Sequence, residues 1–151
     1  MGYNIRGFIL PKLESFLSNE NYQSIPYANL NNSYILVPLT DELYDQVNMY
    51  QGIAEPGYTY LTDKLFDFGT QLSIFVKSVA AYIEADYFGG HGNQSAIVWC
   101  NGKKIYEETE AKESINKAIR TMGTIKEHGK DEFETIGLNK YRRLEDWVES
   151  F

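Results

Sequence analysis

The dipeptide Asn101-Gly102 constrains the fold of this chain more than any other feature of its sequence. Asn-Gly between two runs of β-forming residues is typical of a type I′ turn, because both central positions of that turn require a positive φ. Residues 95–100 before the dipeptide and residues 103–107 after it are such runs. The sequence therefore predicts a β-hairpin at this point.

The segment that precedes this hairpin alternates between two faces. From residue 82 to residue 88 every second side chain points the same way in a strand, so that Ile83 lies on one face while Glu84 and Asp86 share the other. Adding this strand to the hairpin predicts an antiparallel meander over residues 81–107, which is the most secure part of the fold.

Local patterns predict the remaining elements. Runs of β-forming residues at 3–10 and 34–37 indicate two more strands. Apolar residues at helical spacing indicate helices elsewhere, one after Pro11 and one at the tail residues 144–151 among them, and three of the helices are preceded by a hydroxyl side chain suited to capping the first turn. These caps are Thr40, Thr62 and Ser114.

The length of 151 residues is typical of one domain that buries a continuous core. Strands and helices are not arranged in a regular β-α alternation, which favours the α+β class. We therefore expect a single domain over residues 1–151, with a mainly antiparallel five-stranded sheet and helices packed on one face, as a two-layer sandwich.

The charge balance restricts the classes of partner. The chain has 21 Asp and Glu residues against 14 Lys and Arg residues, for a formal net charge of -7. A negative surface repels phosphate backbones and anionic lipid headgroups, so we expect neither nucleic acid nor membrane as a partner. A basic protein is the class of partner that this charge favours.

The sequence contains few residues for cofactor or covalent chemistry. Cys100 is the single cysteine and there are two histidines, which excludes a disulfide within the chain and a Cys/His zinc site. No P-loop, dinucleotide fingerprint or Gly-x-Ser-x-Gly elbow occurs. We expect no cofactor, and the absence of a signal-like apolar segment favours a cytoplasmic location.

Candidate catalytic residues lie at the end of the predicted strand 82–88. Glu84 and Asp86 are roughly 7 Å apart along one strand face, a spacing that suits acid/base work or the binding of a divalent cation. His91 follows in a glycine-rich loop and is the candidate proton carrier. A solvated strand face explains the same two acids without any chemistry, because open antiparallel sheets place charges at every second position.

The same region supplies candidate binding residues. Large aromatics concentrate binding energy at interfaces, and consecutive glycines can present backbone amides to an anion. Packing in the core and a flexible connection between strands are the alternative explanations. The candidate binding residues are Tyr82, Phe88, Gly89, Gly90, Gln94 and Trp99.

The segments Glu84-Ala85-Asp86-Tyr87-Phe88-Gly89-Gly90 and Gln94-Ser95-Ala96-Ile97-Val98-Trp99 resemble a family of small uncharacterised bacterial proteins. The likeness continues through residues 114–119 and 131–138 and ends near Trp147. It implies a compact bacterial domain, and no activity, cofactor or catalytic residue is carried over with it.

Two functional hypotheses follow from the sequence. The leading one is a binding or inhibitory module that covers a basic partner with an acidic, aromatic-bearing surface, as immunity proteins cover toxins. The competing one is a small hydrolase or metal-assisted enzyme, in which Glu84 and Asp86 hold a divalent cation and His91 moves a proton.

Overall fold

The turn at Asn101-Gly102 forms as the sequence predicts. In the computed structural model, which describes residues 2–88 and 91–150, φ is 48° at Asn101 and 84° at Gly102. Both values lie in the left-handed region that a type I′ turn requires. The two strands that flank the turn pair in antiparallel register, from Cys100 opposite Lys103 outward.

The sheet has six strands, and every pairing between them in the described residues is antiparallel. Their order across the sheet is β2-β3-β1-β4-β5-β6, which places the N-terminal strand near the centre. The strands are β1 (Gly2–Pro11), β2 (Ala28–Asn29), β3 (Tyr34–Pro38), β4 (Val79–Phe88), β5 (His91–Cys100) and β6 (Lys103–Ala111).

The expected count of five strands was wrong by one. The additional strand, β2, has two residues and pairs with β3 through Ala28 opposite Leu36. It lies in a segment rich in Asn, Ser and Tyr that reads as a loop, because two residues are too few to show the alternation that identifies a strand.

The helices begin at the predicted caps in two of three cases. The Thr40 and Thr62 hydroxyls accept hydrogen bonds from Leu43 N and Leu65 N. A 3₁₀ turn covers Leu138–Lys140. The helices are α1 (Glu14–Leu17), α2 (Asp41–Asn48), α3 (Asp63–Val76), α4 (Ser114–Thr121), α5 (Glu132–Thr135) and α6 (Leu144–Glu149).

The third predicted cap, Ser114, is the first residue of α4 and does not cap it. Its hydroxyl donates to Gln94 O at 3.2 Å instead. The side chain of Gln94 supplies the missing acceptor, because its Oε1 accepts from Ile115 N at 3.0 Å. A residue on β5 therefore caps α4, which no local sequence pattern could show.

Helices cover both faces of the sheet, so the expectation of a two-layer sandwich with helices on one face was also wrong. One buried cluster joins Phe8, Tyr82 and Trp99 to helices α1, α2 and α3, and a second joins Ile83 and Val98 to α4, α6 and the 3₁₀ turn. The central strands are apolar at consecutive positions, and such strands are buried on both faces. The fold is a three-layer arrangement, with one helical layer on each side of an antiparallel sheet.

Candidate functional site

Glu84 is a buried carboxylate that holds a loop against the sheet. Its side chain accepts hydrogen bonds from the backbone amides of Thr59 and Tyr60 and from the Tyr82 hydroxyl, the last at 2.6 Å. Burial, reinforced by the charge of Glu84, raises the pKa of Tyr82. Tyr82 therefore stays protonated and continues to donate to the carboxylate.

The segment Gly57–Tyr60 that Glu84 holds is also tied to the far strands. The Ser95 hydroxyl donates to Gly57 O at 2.8 Å, and the Tyr58 hydroxyl donates to Glu107 Oε2 at 2.9 Å. Burial and the bond to Glu107 raise the pKa of Tyr58. At Gly57, where φ is 84°, a Cβ would lie 2.6 Å from Thr109 Cβ, so this close approach requires glycine.

This segment forms one wall of a hollow of about 330 Å³. Glu84 lies on its floor, and exposed Asp86, Asn93 and Glu110 lie on its rim. The Arg6 guanidinium stands 4.1 Å from the centre of the Tyr60 ring, and its Nε donates to Leu39 O at 3.2 Å.

A second hollow, of about 410 Å³, adjoins the first. Asn4 and Arg6 line both, so we refer to the two together as the Arg6 cleft. Asp41, whose side chain is 93% exposed, approaches Arg6 to 3.7 Å. The other acidic side chains that line the second hollow are Glu42, Glu145 and Glu149.

The net charge of the chain comes from one continuous segment. Residues 13–63 contain seven of the 21 acidic residues and none of the 14 basic residues or the two histidines. The other acids and bases of the chain balance, so the formal charge of -7 arises within this segment. It forms α1, α2, the β2–β3 edge of the sheet and the loop that leads to α3.

The opposite helical layer is charge-balanced and paired. Residues 112–150 carry eight acidic and eight basic side chains. Lys117 bonds Glu108, and Arg120 Nε donates to Glu132 at 2.9 Å. The two layers therefore differ in surface charge although each buries an apolar core of comparable size.

The structure separates the three candidate catalytic residues. Glu84 and Asp86 share a strand face as predicted, but Glu84 is buried and its carboxylate is fully engaged, while Asp86 is exposed. His91 pairs with Phe88, four residues from Glu84 along β4, which is about 13 Å at the rise of a strand. In residues 2–88 and 91–150 no group of three or more His, Cys, Asp and Glu side chains is arranged to hold a metal ion.

The candidate binding residues fall into four groups. Tyr82 and Trp99 are fully buried in the core, so neither offers a surface to a partner. Gln94 caps α4, whereas Phe88 is 82% exposed. Gly89 and Gly90 lie outside the described residues. The predicted loop 89–94 is strand from His91 onward, because β5 continues pairing with β4 to that residue.

Sequence reasoning missed Arg6 and the acidic segment that ends at Asp63. Arg6 is a single charge in an otherwise apolar strand, which gives no periodic signal. The segment had a simple signal, namely 51 residues without a Lys, Arg or His, from residue 13 to residue 63. An overall charge of -7 hides that distribution.

Comparison with family models, with curated proteins and with solved structures finds no match for this chain. The likeness to a small bacterial family remains a prediction. Among the helices of the described residues, none has the length and apolar character needed to cross a bilayer.

Proposed function

We propose that this protein is a binding module whose acidic side, formed by residues 13–63 together with the Arg6 cleft, covers a basic protein partner. The observation that carries the proposal is the segregation of charge. Residues 13–63 carry no cation, and Arg6, which approaches Asp41, is the basic side chain that lines the cleft. A surface on which acids predominate in this way attracts a basic partner and steers the encounter.

The chemistry of the cleft supports binding more than catalysis. The carboxylate of Glu84 accepts hydrogen bonds from two amides and a phenol, so most of its acceptor capacity is used within the fold. The exposed acids of the cleft, Asp41, Asp86 and Glu110 among them, are suited to accept bonds from Lys and Arg side chains. An inhibitory role of the immunity-protein kind, in which the module occludes a basic toxin, is the specific form that we propose.

The proposal is tested by neutralising the acids of α2. The triple variant Asp41→Asn, Glu42→Gln, Asp45→Asn removes three exposed carboxylates from the acidic side. Tagged wild-type protein should co-purify a basic protein from the source cells at low salt and release it at high salt, because exposed charge attraction is screened. The variant should recover about ten-fold less of the same protein.

A matched control carries the same loss of charge on the balanced layer. It is the triple variant Glu113→Gln, Glu127→Gln, Asp146→Asn, and it should recover the partner as the wild type does. Equal recovery by the two triple variants, or repeated recovery of no basic protein by the wild type, would contradict the proposal.

A further inference from the structure

Three large apolar side chains stand out from the acidic side on one short segment. Met49 is 70% exposed, Tyr50 is 95% exposed and Ile53 is 69% exposed. We refer to residues 49–53 as the knob. Single exposed apolar residues are ordinary on protein surfaces, but three within five positions form a patch, and such patches mark interaction sites.

The backbone holds the knob in a fixed conformation. Met49 and Tyr50 both adopt left-handed φ values, of 51° and 61°, which residues other than glycine adopt at a cost in free energy. Met49 N donates to Asp45 O. Ile53 N donates to the Asp63 carboxylate, and Asp63 N donates in return to Ile53 O. A preorganised contact loses little entropy on binding.

Acidic groups surround the knob. Asp45 lies one helical turn before it, Asp63 bonds its backbone, and Glu55 follows it in the chain. The hydrogen bond from Ile53 N is the main cause that lowers the pKa of Asp63, so this carboxylate is ionised at neutral pH. Lys64 is the nearest basic residue along the chain.

We propose that the knob is the central contact of the protein interface, with Tyr50 inserted into an apolar pocket of the partner whose rim carries Lys or Arg side chains. This inference rests on the proposed function and names the anchor within it. An exposed aromatic flanked in the chain by acids is complementary to a concave apolar pocket whose rim carries bases. A second copy of this chain would bring the same acids together, and an anionic lipid surface would be repelled in the same way.

The chemistry of that pocket is reproduced by a β-cyclodextrin whose narrow rim carries primary amines, and unmodified β-cyclodextrin is its neutral counterpart. Titration of the wild-type protein, followed residue by residue by NMR, should place both probes on the Tyr50 ring. The aminated probe should bind there about five-fold more tightly, and added salt should remove the difference. The double variant Asp45→Asn, Glu55→Gln should lose the preference and keep the binding of the neutral probe.

Tyr50→Ser should abolish binding of both probes at the knob while leaving the unfolding temperature unchanged, because the side chain is almost wholly exposed. Phe88→Ser is the matched control, since Phe88 is an exposed aromatic outside the acidic segment, and it should leave binding at the knob intact. Equal affinity of the knob for the two probes, or an equal preference for amines at Phe88, would overturn the proposal.

Three further results would count against the protein pocket. A dimer in sedimentation that Tyr50→Ser converts to a monomer would assign the knob to self-association, and binding to anionic phospholipid vesicles would assign it to a membrane.

In the co-purification experiment, loss of the partner from the α2 variant but not from Tyr50→Ser would refute the knob and leave the proposed function standing. Loss from neither would refute the proposed function itself.

Discussion

Each helical layer of this protein covers one apolar face of the sheet, but the two layers differ in the charge of their outer surfaces. The layer of α1, α2 and α3 packs on Phe8, Tyr82 and Trp99, and the layer of α4, α5 and α6 packs on Ile83 and Val98. The second layer carries equal numbers of acids and bases, among them the pair of Arg120 and Glu132, whereas the first has acids and no bases between residues 13 and 63. Core packing does not require that difference, so the uncompensated charge of the first layer is available for binding a partner.

The comparison is sharpened most by separating Glu84, an acid that holds the fold together, from its exposed neighbour Asp86. Glu84→Ala leaves the buried Tyr82 hydroxyl and two partly buried backbone amides without their acceptor, and we expect a loss of about 3 kcal/mol in the free energy of unfolding. Asp86→Ala, two residues along the same face, should change it by less than about 0.5 kcal/mol. Urea denaturation measures both, and equal losses would show that Asp86 is also structural.

The packing of the first layer is tested at Gly69 in α3. A Cβ at Gly69 would lie 2.3 Å from the Trp99 ring, so Gly69→Ala should cost about 2 kcal/mol through overpacking. The comparison in the second layer is Gly123→Ala, where no atom lies within 4 Å and only the φ of 108° opposes the change. Its cost should be about 1 kcal/mol, measured in the same way. A larger loss at Gly123 would reverse the expected order.

The ion pairing of the second layer has a pH dependence. Burial acts to raise the pKa of Glu132, but the hydrogen bond and charge of Arg120 outweigh it and lower that pKa overall. A carboxylate with a lowered folded pKa stabilises the fold above its unfolded pKa of about 4.3, and this contribution is lost as the pH falls through the folded value.

Arg120→Gln should therefore destabilise the fold at neutral pH, and the difference from wild type should shrink at acidic pH, as the pH falls below the unfolded pKa of about 4.3 and Glu132 becomes protonated. Lys130→Gln, which breaks the exposed pair with Glu127, should change stability by less than about 0.5 kcal/mol at either pH. Chemical denaturation at several pH values measures these differences. If the difference in unfolding free energy between Arg120→Gln and wild type does not change with pH, Glu132 does not depend on Arg120 for its charge.

The smallest expected effect is that of the α2 acids on stability. Asp41 and Glu42 lie in the first turn of α2, where they interact favourably with the helix dipole. Replacing either residue by its amide should lower the free energy of unfolding by about 0.3 kcal/mol. Reduced repulsion among like charges should partly offset this loss. Thermal unfolding at low and high salt would reveal this, and a loss above about 1 kcal/mol would mean that these acids serve the fold rather than binding.

Local signals predicted much of the fold. The hairpin at Asn101-Gly102 and the caps at Thr40 and Thr62 each depend on residues within a few positions of one another. Apart from the short strand β2 and the acidic segment 13–63, the missed features are long-range. They join residues that are distant in sequence. Helices pack on both faces of the sheet, Gln94 caps α4, and Glu84 accepts a hydrogen bond from Thr59 N.

The candidate site was predicted only in part for the same reason. Alternation along β4 correctly placed Glu84 and Asp86 on one face. It could not show that the loop at Thr59 buries Glu84 and leaves Asp86 exposed to solvent. Tyr82 and Trp99 were ambiguous because an aromatic in a strand suits a core as well as an interface. Whether a side chain is buried depends on how the layers pack together, so the residue pattern of a single strand does not predict it.

The place of β1 between β3 and β4 has a consequence for synthesis on the ribosome. During synthesis β1 can pair with β3 once residues 34–38 have followed it, yet its other edge stays open until residues 79–88 have been made. Unpaired strand edges are where nascent chains aggregate. The segment made in between carries the acids from Glu14 to Asp63, and we expect their mutual repulsion to oppose aggregation of that unfinished intermediate.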